Sequence, residues 1–120
     1  TGKALSEWHK SSELNKIYNT FFSILLEQER EQNYKNCENR FDEFIDKGAV
    51  EEVKYLIKKK FDRSLPGFKC LGVNWILKYL DKEISLNHAI VLSKRDTRRY
   101  VKRQLTWFRH NFNPDLILRI

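Results

Sequence analysis

Several features that mark other protein classes are scarce in this sequence. It has no methionine, two cysteines and two prolines in 120 residues, and no apolar run approaches the roughly 20 residues that cross a bilayer. No signal-peptide pattern opens the chain, so we predict a cytoplasmic protein that does not contact a membrane. Thr1 fits a removed initiator methionine and a segment of a longer protein equally well.

The cysteines and histidines give no sign of a disulfide or a metal site. Cys37 and Cys70 are isolated, with no CxxC spacing, which indicates neither a disulfide framework nor a zinc motif. We predict that both are buried thiols in a reducing compartment. His9, His88 and His110 have no neighbouring ligand pattern. We therefore predict no metal and no cofactor for this chain alone.

Positive charge is concentrated in one segment. The chain has 23 Lys and Arg against 16 Asp and Glu, a formal net charge of +7. Residues 85–112 hold seven of these cations and one acid, Asp96, which gives +6. The other residues hold 16 cations against 15 acids. A surface helix held by ion pairs normally interleaves the two signs. This segment does not, which favours a polyanion partner, most often nucleic acid, over a helix that only maintains solubility.

At about 100° per residue, residues 85–112 form an amphipathic helix. One side, which we call the basic face, carries Arg95, Arg98, Arg99, Lys102, Arg103, Thr106 and Arg109. The other side carries Leu86, Ile90, Thr97, Val101, Gln104, Leu105 and Phe108. Gln104 lies near the middle of this mostly apolar side, where a side-chain amide needs hydrogen-bond partners.

The other elements are predicted to be mostly helices. The sequence predicts helices at residues 27–47, 49–60 and 75–80. Gly48 ends the first of them, and Ser85 caps the long basic helix. The sequence also predicts two short buried strands, at residues 20–26 and 116–120. Strands that are apolar throughout lie inside larger parallel sheets, and a two-stranded sheet is not stable alone. We therefore predict an α-rich portion of a larger α/β fold, with four or five helices.

The run DTRRYVKRQLTWFR, from Asp96 to Arg109, resembles the C-terminal signature of bacterial tRNA dimethylallyltransferases. That signature reads approximately T-R-x-x-A-K-R-Q-x-T-W-[FL]-R, and its length makes the match specific. Further segments follow in the family's order: residues 1–8; 40–44 with Gly48 and 51–53; and 65–72 with 79–81 and 83–86. The resemblance covers nearly all of the chain and roughly the C-terminal third to half of such an enzyme.

The resemblance implies a P-loop, nucleotide-kinase-like fold and a defined reaction. Enzymes of this family transfer a dimethylallyl group from dimethylallyl diphosphate to N6 of the adenosine 3′ of the tRNA anticodon. The substrates meet in a channel where the base is flipped out, and Mg²⁺ and a Gly-rich loop hold the diphosphate. This chain has no G-x-x-x-x-G-K-[ST] loop. The resemblance therefore places the catalytic Asp, that loop and most Mg²⁺ contacts in an N-terminal half, in the same or a separate chain. We expect these 120 residues to be inactive alone.

Some residues match functional positions of the family. Arg40 matches an arginine that reaches the diphosphate, although its local pattern indicates only an arginine at the rim of a buried stripe. The family's tRNA-contacting segments match Lys102, Arg103, Gln104, Leu105, Thr106, Trp107, Phe108 and Arg109, and also Lys69, Cys70, Leu71, Gly72, Val73 and Asn74. A channel wall would supply partners for Gln104, so we expect Arg40 and Gln104 to face one shared cavity.

The sequence also departs from the family pattern and leaves other functions open. Val73 stands where the family usually has Tyr, Asn74 where it has a basic residue, and Lys82 where it has Gly. Loss of an aromatic ring and a cation weakens RNA binding. A non-catalytic RNA-binding module and a decayed remnant without function are the alternatives. A membrane-surface role is disfavoured, because Thr97 and Gln104 interrupt the apolar side.

Overall fold

A computed structural model describes residue 2, residues 4–7 and residues 21–120. Residues 5–7 form a helical turn. The elements that follow are strand β1 (Ile24–Glu27), helix α1 (Arg30–Asp46), helix α2 (Ala49–Lys58), a 3-10 turn (Pro66–Lys69), helix α3 (Val73–Leu80), helix α4 (Leu86–Asn111) and strand β2 (Leu116–Arg119). The prediction of a helix-rich chain with two parallel strands is confirmed. None of the helices described is long and apolar enough to cross a membrane.

The helix boundaries predicted at Gly48 and Ser85 agree with the backbone conformation, whereas the helix predicted over 27–47 begins at Arg30, the one predicted over 49–60 ends at Lys58 and the one predicted over 75–80 begins at Val73. Gly48 has φ +96° between α1 and α2, and its N–H donates to the Ile45 carbonyl at 3.1 Å. A positive φ is accessible to glycine without the penalty that a Cβ would bring. Ser85 Oγ accepts a hydrogen bond from the His88 N–H at 3.2 Å and caps α4. Both boundary predictions are confirmed.

The apolar core lies between α2, α3 and the 3-10 turn. Its buried members are Val50, Val53, Phe68, Ile76 and Leu77. The long helix α4 packs outside this core, against α1 on one side and α3 on the other. It therefore serves as a rigid support whose remaining surface is free for other contacts.

Close packing at Gly72 fixes the position of α4. Gly72 has φ +90°, and a Cβ built on it would lie 2.7 Å from Phe41 Cε2 and 3.5 Å from Ser93 Oγ. Ser93 is fully buried, and its hydroxyl donates to the Ala89 carbonyl at 2.7 Å. The buried residues of α4 are thus Ala89, Ser93 and Val101. Of these, the predicted apolar side included only Val101, because hydrophobicity alone does not select the small residues that let helices approach closely.

The two strands pair in parallel, with Ile24 opposite Leu116 and Glu27 opposite Arg119. Strand β1 begins at Ile24 rather than at residue 20, and residue 20 lies outside the described residues. The prediction of buried strands is wrong here, since Leu26 is 61% exposed and all four residues of β2 are exposed. The physical reason is that no helix among the described elements packs directly on this sheet.

The cysteine prediction also needs correction. Cys37 is half-buried on α1, and Cys70 is exposed. Cys70 follows the 3-10 turn, whose inward-facing residue is Phe68. Burial of Phe68 leaves its neighbours Lys69 and Cys70 at the surface.

Candidate nucleic-acid interface

The first half of α4 is neutralised by acidic side chains of α1. Lys94 Nζ lies 2.6 Å from Asp42 Oδ2, and Arg98 Nη1 lies 2.9 Å from Glu38 Oε1. From the first pair to the second, the residue number rises along α4 and falls along α1. The two helices are therefore antiparallel. The acids that pair with these cations belong to a different helix. The sequence of α4 alone therefore indicated a basic face without acidic partners.

Asp96, the single acid of α4, connects this helix to α3. Its Oδ2 accepts a hydrogen bond from Trp75 Nε1 at 2.8 Å. Arg95 Nε and Arg99 Nη1 approach its Oδ1 at 3.4 and 3.5 Å. The Arg95 guanidinium also lies 5.8 Å from the centre of the Trp75 ring, within the range of a cation–π contact. Arg95, Arg98 and Arg99 are therefore engaged within the fold, and sequence reasoning missed the roles of Asp96 and Trp75.

The second half of the basic face is different. Within the described part of the chain, no carboxylate lies within 4.0 Å of the charged nitrogens of Lys102, Arg103 or Arg109. The Arg103 guanidinium lies 5.7 Å from the centre of the Tyr100 ring. These three cations are exposed. They form the local excess of positive charge that can attract a polyanion.

An exposed aromatic ring lies among these cations. Trp107 is 54% exposed and lines a shallow groove of about 380 Å³, here called the Trp107 groove. The groove is lined by Lys102, Arg103, Thr106, Trp107, His110 and Asn111. It thus combines a flat ring with cations and contains no carboxylate.

A second concave region lies between α4 and the sheet. This cavity, here called the sheet–helix cavity, has a volume of about 440 Å³. Its lining from α4 consists of Val101, Gln104, Leu105 and Phe108, and residues 24–27 line the opposite wall. The Gln104 side chain has no hydrogen-bond partner among the described residues, so its amide is available to orient a polar group.

The interface residues described above are mainly suited to binding. Among them, no group of three or more His, Cys, Asp and Glu side chains could hold a metal ion. The interface consists of cations, aromatic rings and one amide. These groups can bind and orient an anionic ligand.

Comparison with known proteins identifies the family. The family model described as IPP transferase matches residues 1–111. This chain belongs to the IPP transferase family. One curated relative is the tRNA dimethylallyltransferase of Alkaliphilus oremlandii, 42% identical over 113 residues, which cover 94% of this chain and 36% of the relative. Another, from Wolbachia sp. subsp. Drosophila simulans, is 38% identical over 118 residues, which cover 98% of this chain and 40% of the relative.

Solved structures of the IPP transferase family have a similar fold. The tRNA delta(2)-isopentenylpyrophosphate transferase of Staphylococcus epidermidis superposes with a TM-score of 0.75 at 29% identity, over 98% of this chain and 37% of that protein. The full-length tRNA isopentenylpyrophosphate transferase of Bacillus halodurans gives 0.72 at 33% identity, over 82% and 31%. The chain spans about two fifths or less of the length of these relatives. The resemblance predicted from the sequence is confirmed.

The position of Arg40 differs from the expectation drawn from the IPP transferase resemblance. Arg40 is exposed on α1, and its guanidinium lies 6.0 Å from the centre of the Phe44 ring. It does not line the sheet–helix cavity that contains Gln104. Glu38 and Asp42 face α4, and Arg40 lies about 160–200° around α1 from them, so Arg40 is on the side of α1 away from α4. The described residues therefore do not form the shared cavity that we expected.

The second segment matched to IPP transferases, residues 69–74, lies beside the first half of α4. Lys69, Cys70, Leu71 and Asn74 are exposed, Val73 is half-buried, and Gly72 is buried. Gly72 adjoins Ser93, and Trp107 lies 14 residues, or about 21 Å, further along the helix. The two segments therefore lie at separate points along one helix rather than in one cluster.

Proposed function

We propose that this chain is part of a tRNA-modifying prenyltransferase. The enzyme transfers a dimethylallyl group from dimethylallyl diphosphate to N6 of the adenosine 3′ of the anticodon. The observation that carries this proposal is the match of residues 1–111 to the IPP transferase model, together with relatives named tRNA dimethylallyltransferase. The reaction and its substrates come to this chain through those relatives.

Within that enzyme, this chain supplies binding surfaces. The Trp107 groove and the cations Lys102, Arg103 and Arg109 hold the anticodon stem-loop of the tRNA. Residues 69–74 add a second contact, and Gln104 forms part of the channel wall. The free charges in the second half of the basic face support this role, because cations without acidic partners release bound counterions when they contact phosphates.

The chemical groups lie mainly in an N-terminal half of the enzyme. This half supplies the phosphate loop, the general base and most contacts to Mg²⁺, in a nucleotide-kinase-like P-loop fold that functions in the cytoplasm. The present chain contributes Arg40 toward the diphosphate. In support, no phosphate loop occurs in the sequence.

The exposed strands support a larger sheet in the complete enzyme. Phe21 is 82% exposed and Ile117 is 49% exposed. The radius of gyration is 18.9 Å, whereas a compact domain of this length has about 14 Å. Additional parallel strands and helices from the N-terminal half would cover these surfaces and close the sheet–helix cavity.

A reconstitution experiment tests the division of labour. The chain is incubated with substrate tRNA, labelled dimethylallyl diphosphate and Mg²⁺, either alone or with the separately produced N-terminal half of a relative. We expect no label in tRNA with the chain alone and measurable label with both parts. Incorporation by the chain alone would overturn this assignment.

The free cations also support a second function, a non-catalytic RNA-binding module. Such a module would bind tRNA with steep salt dependence and little preference for a modifiable anticodon loop. The N-terminal half would not change its affinity. A gel-shift comparison of cognate tRNA with unrelated duplex RNA, with and without that half, distinguishes the two functions.

A further inference from the structure

We propose that Glu38 and Asp42 of α1 determine specificity among RNAs by masking the first half of α4. Their carboxylates keep Lys94 and Arg98 from binding the phosphates of unrelated RNA. This inference rests on the proposed RNA-binding function, because it states which cations of the helix are withheld from RNA. It does not require dimethylallyl transfer to occur.

The two carboxylates are spaced to match the two cations. Glu38 and Asp42 are four residues apart and therefore lie on the same side of α1. Lys94 and Arg98 have the same spacing on the antiparallel helix α4. Each carboxylate thus meets one cation, Asp42 with Lys94 at 2.6 Å and Glu38 with Arg98 at 2.9 Å. Both cations are neutralised together.

The ion pairs between α1 and α4 lie at the surface. The Arg98 side chain is 46% exposed and that of Asp42 is 51% exposed. Ion pairs with this much exposure contribute little to stability, so holding the helices together does not account for both of them. The same exposure means that RNA could reach Arg98 if its acidic partner were absent.

The pairing gives the two halves of α4 different net charges. In the first half, three acids face four cations: Glu38, Asp42 and Asp96 against Lys94, Arg95, Arg98 and Arg99. This half therefore has a net charge of +1, whereas the second half has the three free cations described above. Without Glu38 and Asp42 the first half would carry +3. A row of cations would then extend from Lys94 to Arg109, over about 22 Å.

A continuous row of cations would favour unrelated RNA. Counterion release depends on how many phosphates are contacted and not on the sequence of the bases. A carboxylate that a phosphate displaced from its cation would remain beside a like charge, which disfavours wrong partners. Specificity is a difference between affinities. The two acids therefore raise specificity by weakening the binding of competitors.

Salt titrations of RNA binding test this proposal. The probes are an anticodon stem-loop hairpin and an unrelated, fully paired RNA duplex. Glu38→Gln/Asp42→Asn removes both charges and nearly preserves the side-chain shapes. For the duplex, we expect the slope of log K against log salt to steepen by about 1.4–1.8, because two further phosphate contacts form. This change corresponds to a gain in duplex affinity of up to roughly 60-fold at about 0.1 M salt, and the hairpin-to-duplex affinity ratio should fall.

Glu43→Gln/Glu51→Gln is the matched control. These two acids pair with lysines of their own helices, Lys47 at 2.9 Å and Lys54 at 3.4 Å. The control therefore changes the net charge equally and also releases two cations, but neither of them belongs to α4. We expect a much smaller change in the duplex slope than for Glu38→Gln/Asp42→Asn.

A fourfold variant identifies the cations responsible. Glu38→Gln/Asp42→Asn/Lys94→Gln/Arg98→Gln removes the masked cations together with the acids. We expect its duplex slope to return to the value of the parent chain. A steeper slope that persisted in this variant would overturn the masking proposal, because other cations would then be responsible.

The outcomes separate this inference from the proposed function. If the parent chain binds the hairpin and Glu38→Gln/Asp42→Asn leaves the duplex slope unchanged, masking is overturned and RNA binding stands. An equal gain in the matched control, or a loss of helical circular dichroism in Glu38→Gln/Asp42→Asn, would also overturn masking. If the parent chain binds neither probe while Glu38→Gln/Asp42→Asn binds the duplex, the proposed function fails and masking stands. If no variant binds either probe, both proposals fail.

Discussion

Gly72 illustrates a residue whose importance depends on its tertiary neighbours. It begins α3 with a positive φ and lies against the buried ring of Phe41 and the hydroxyl of Ser93. The sequence alone identified Gly72 only through its place in a segment that resembles a tRNA contact. The structure adds a packing role that is independent of RNA.

We expect Gly72→Ala to destabilise the chain by about 2–6 kcal/mol. The new Cβ must adopt a positive φ and also displace a buried aromatic ring, and each effect costs roughly 1–3 kcal/mol. Gly67→Ala is the matched control, because no atom lies within 4 Å of the added Cβ. Thermal or denaturant unfolding provides the measurement. Equal stabilities of the two variants would contradict this account of Gly72.

The sequence did not predict which side chains on different helices pair with one another. The sequence identified the cations of α4 correctly, because periodicity along one helix determines which residues share a side. It could not assign Glu38 to Arg98 or Trp75 to Asp96, because those pairs depend on how helices pack. The available basic surface is therefore smaller than the sequence predicted.

At the scale of the element, α4 contains two charge regions with different roles. The first half pairs with acids of α1 and with Asp96, and the second half has free cations. The helix itself was predicted to within one residue at each end, since its cap at Ser85 and its period are local features. Which of its cations pair with acids depends on how α4 packs against the other helices.

This division predicts different effects of two double variants on tRNA binding. Lys102→Gln/Arg103→Gln removes two phosphate contacts and should reduce the slope of log K against log salt by about 1.4–1.8. Lys94→Gln/Arg98→Gln removes the same formal charge but should leave that slope nearly unchanged. It should instead lower stability by less than about 2 kcal/mol, because these pairs are partly exposed. Similar slopes for both variants would show that the two halves are equivalent.

The sheet has a pH-sensitive connection between its strands. The N–H and the hydroxyl of Ser23 both donate to Asp115 Oδ2 at 2.7 Å. The backbone hydrogen bond first, and the hydroxyl second, lower the pKa of Asp115 from its ordinary value of 3.8. A lowered pKa in the folded state means that the stabilisation is present above pH 3.8 and is lost as the pH falls through the lower value.

We therefore expect pairing of β1 with β2 to weaken below pH 3.8. NMR signals of the amides in residues 24–27, followed during an acid titration, provide the measurement. Asp115→Asn should abolish the transition, whereas Asp46→Asn, which changes an exposed carboxylate outside the sheet, should retain it. Amide signals that stay constant through this range in the parent chain would contradict the prediction.

At the scale of the whole molecule, helices form a packed unit and the sheet does not. The core of α2, α3 and the 3-10 turn is buried, but the strands are not covered by any described helix. The positions of the two strands and their parallel pairing were predicted from their apolar composition. The burial of the strands could not be predicted, because it depends on what packs against the sheet. The family match, by contrast, was accessible from the run between Asp96 and Arg109 and from further segments that follow the family's order.

This contrast predicts unequal hydrogen exchange across the chain. The amides of residues 24–27 and 116–119 should exchange much faster than those within α1 and α4, because a two-stranded sheet is marginal in water. Addition of the N-terminal half of a relative should slow exchange in the strands. Strand protection in the chain alone that matches the helices would refute the incomplete-sheet interpretation.

The pairing of Ile24 with Leu116 has a consequence for biosynthesis. At about 5–20 residues per second, a ribosome needs about 5–18 s to synthesise the 92 residues from Leu25 through Leu116. During that interval, while the intervening helices are being synthesised, β1 exists without this neighbour. An apolar segment in this situation is a natural binding site for chaperones on the nascent polypeptide.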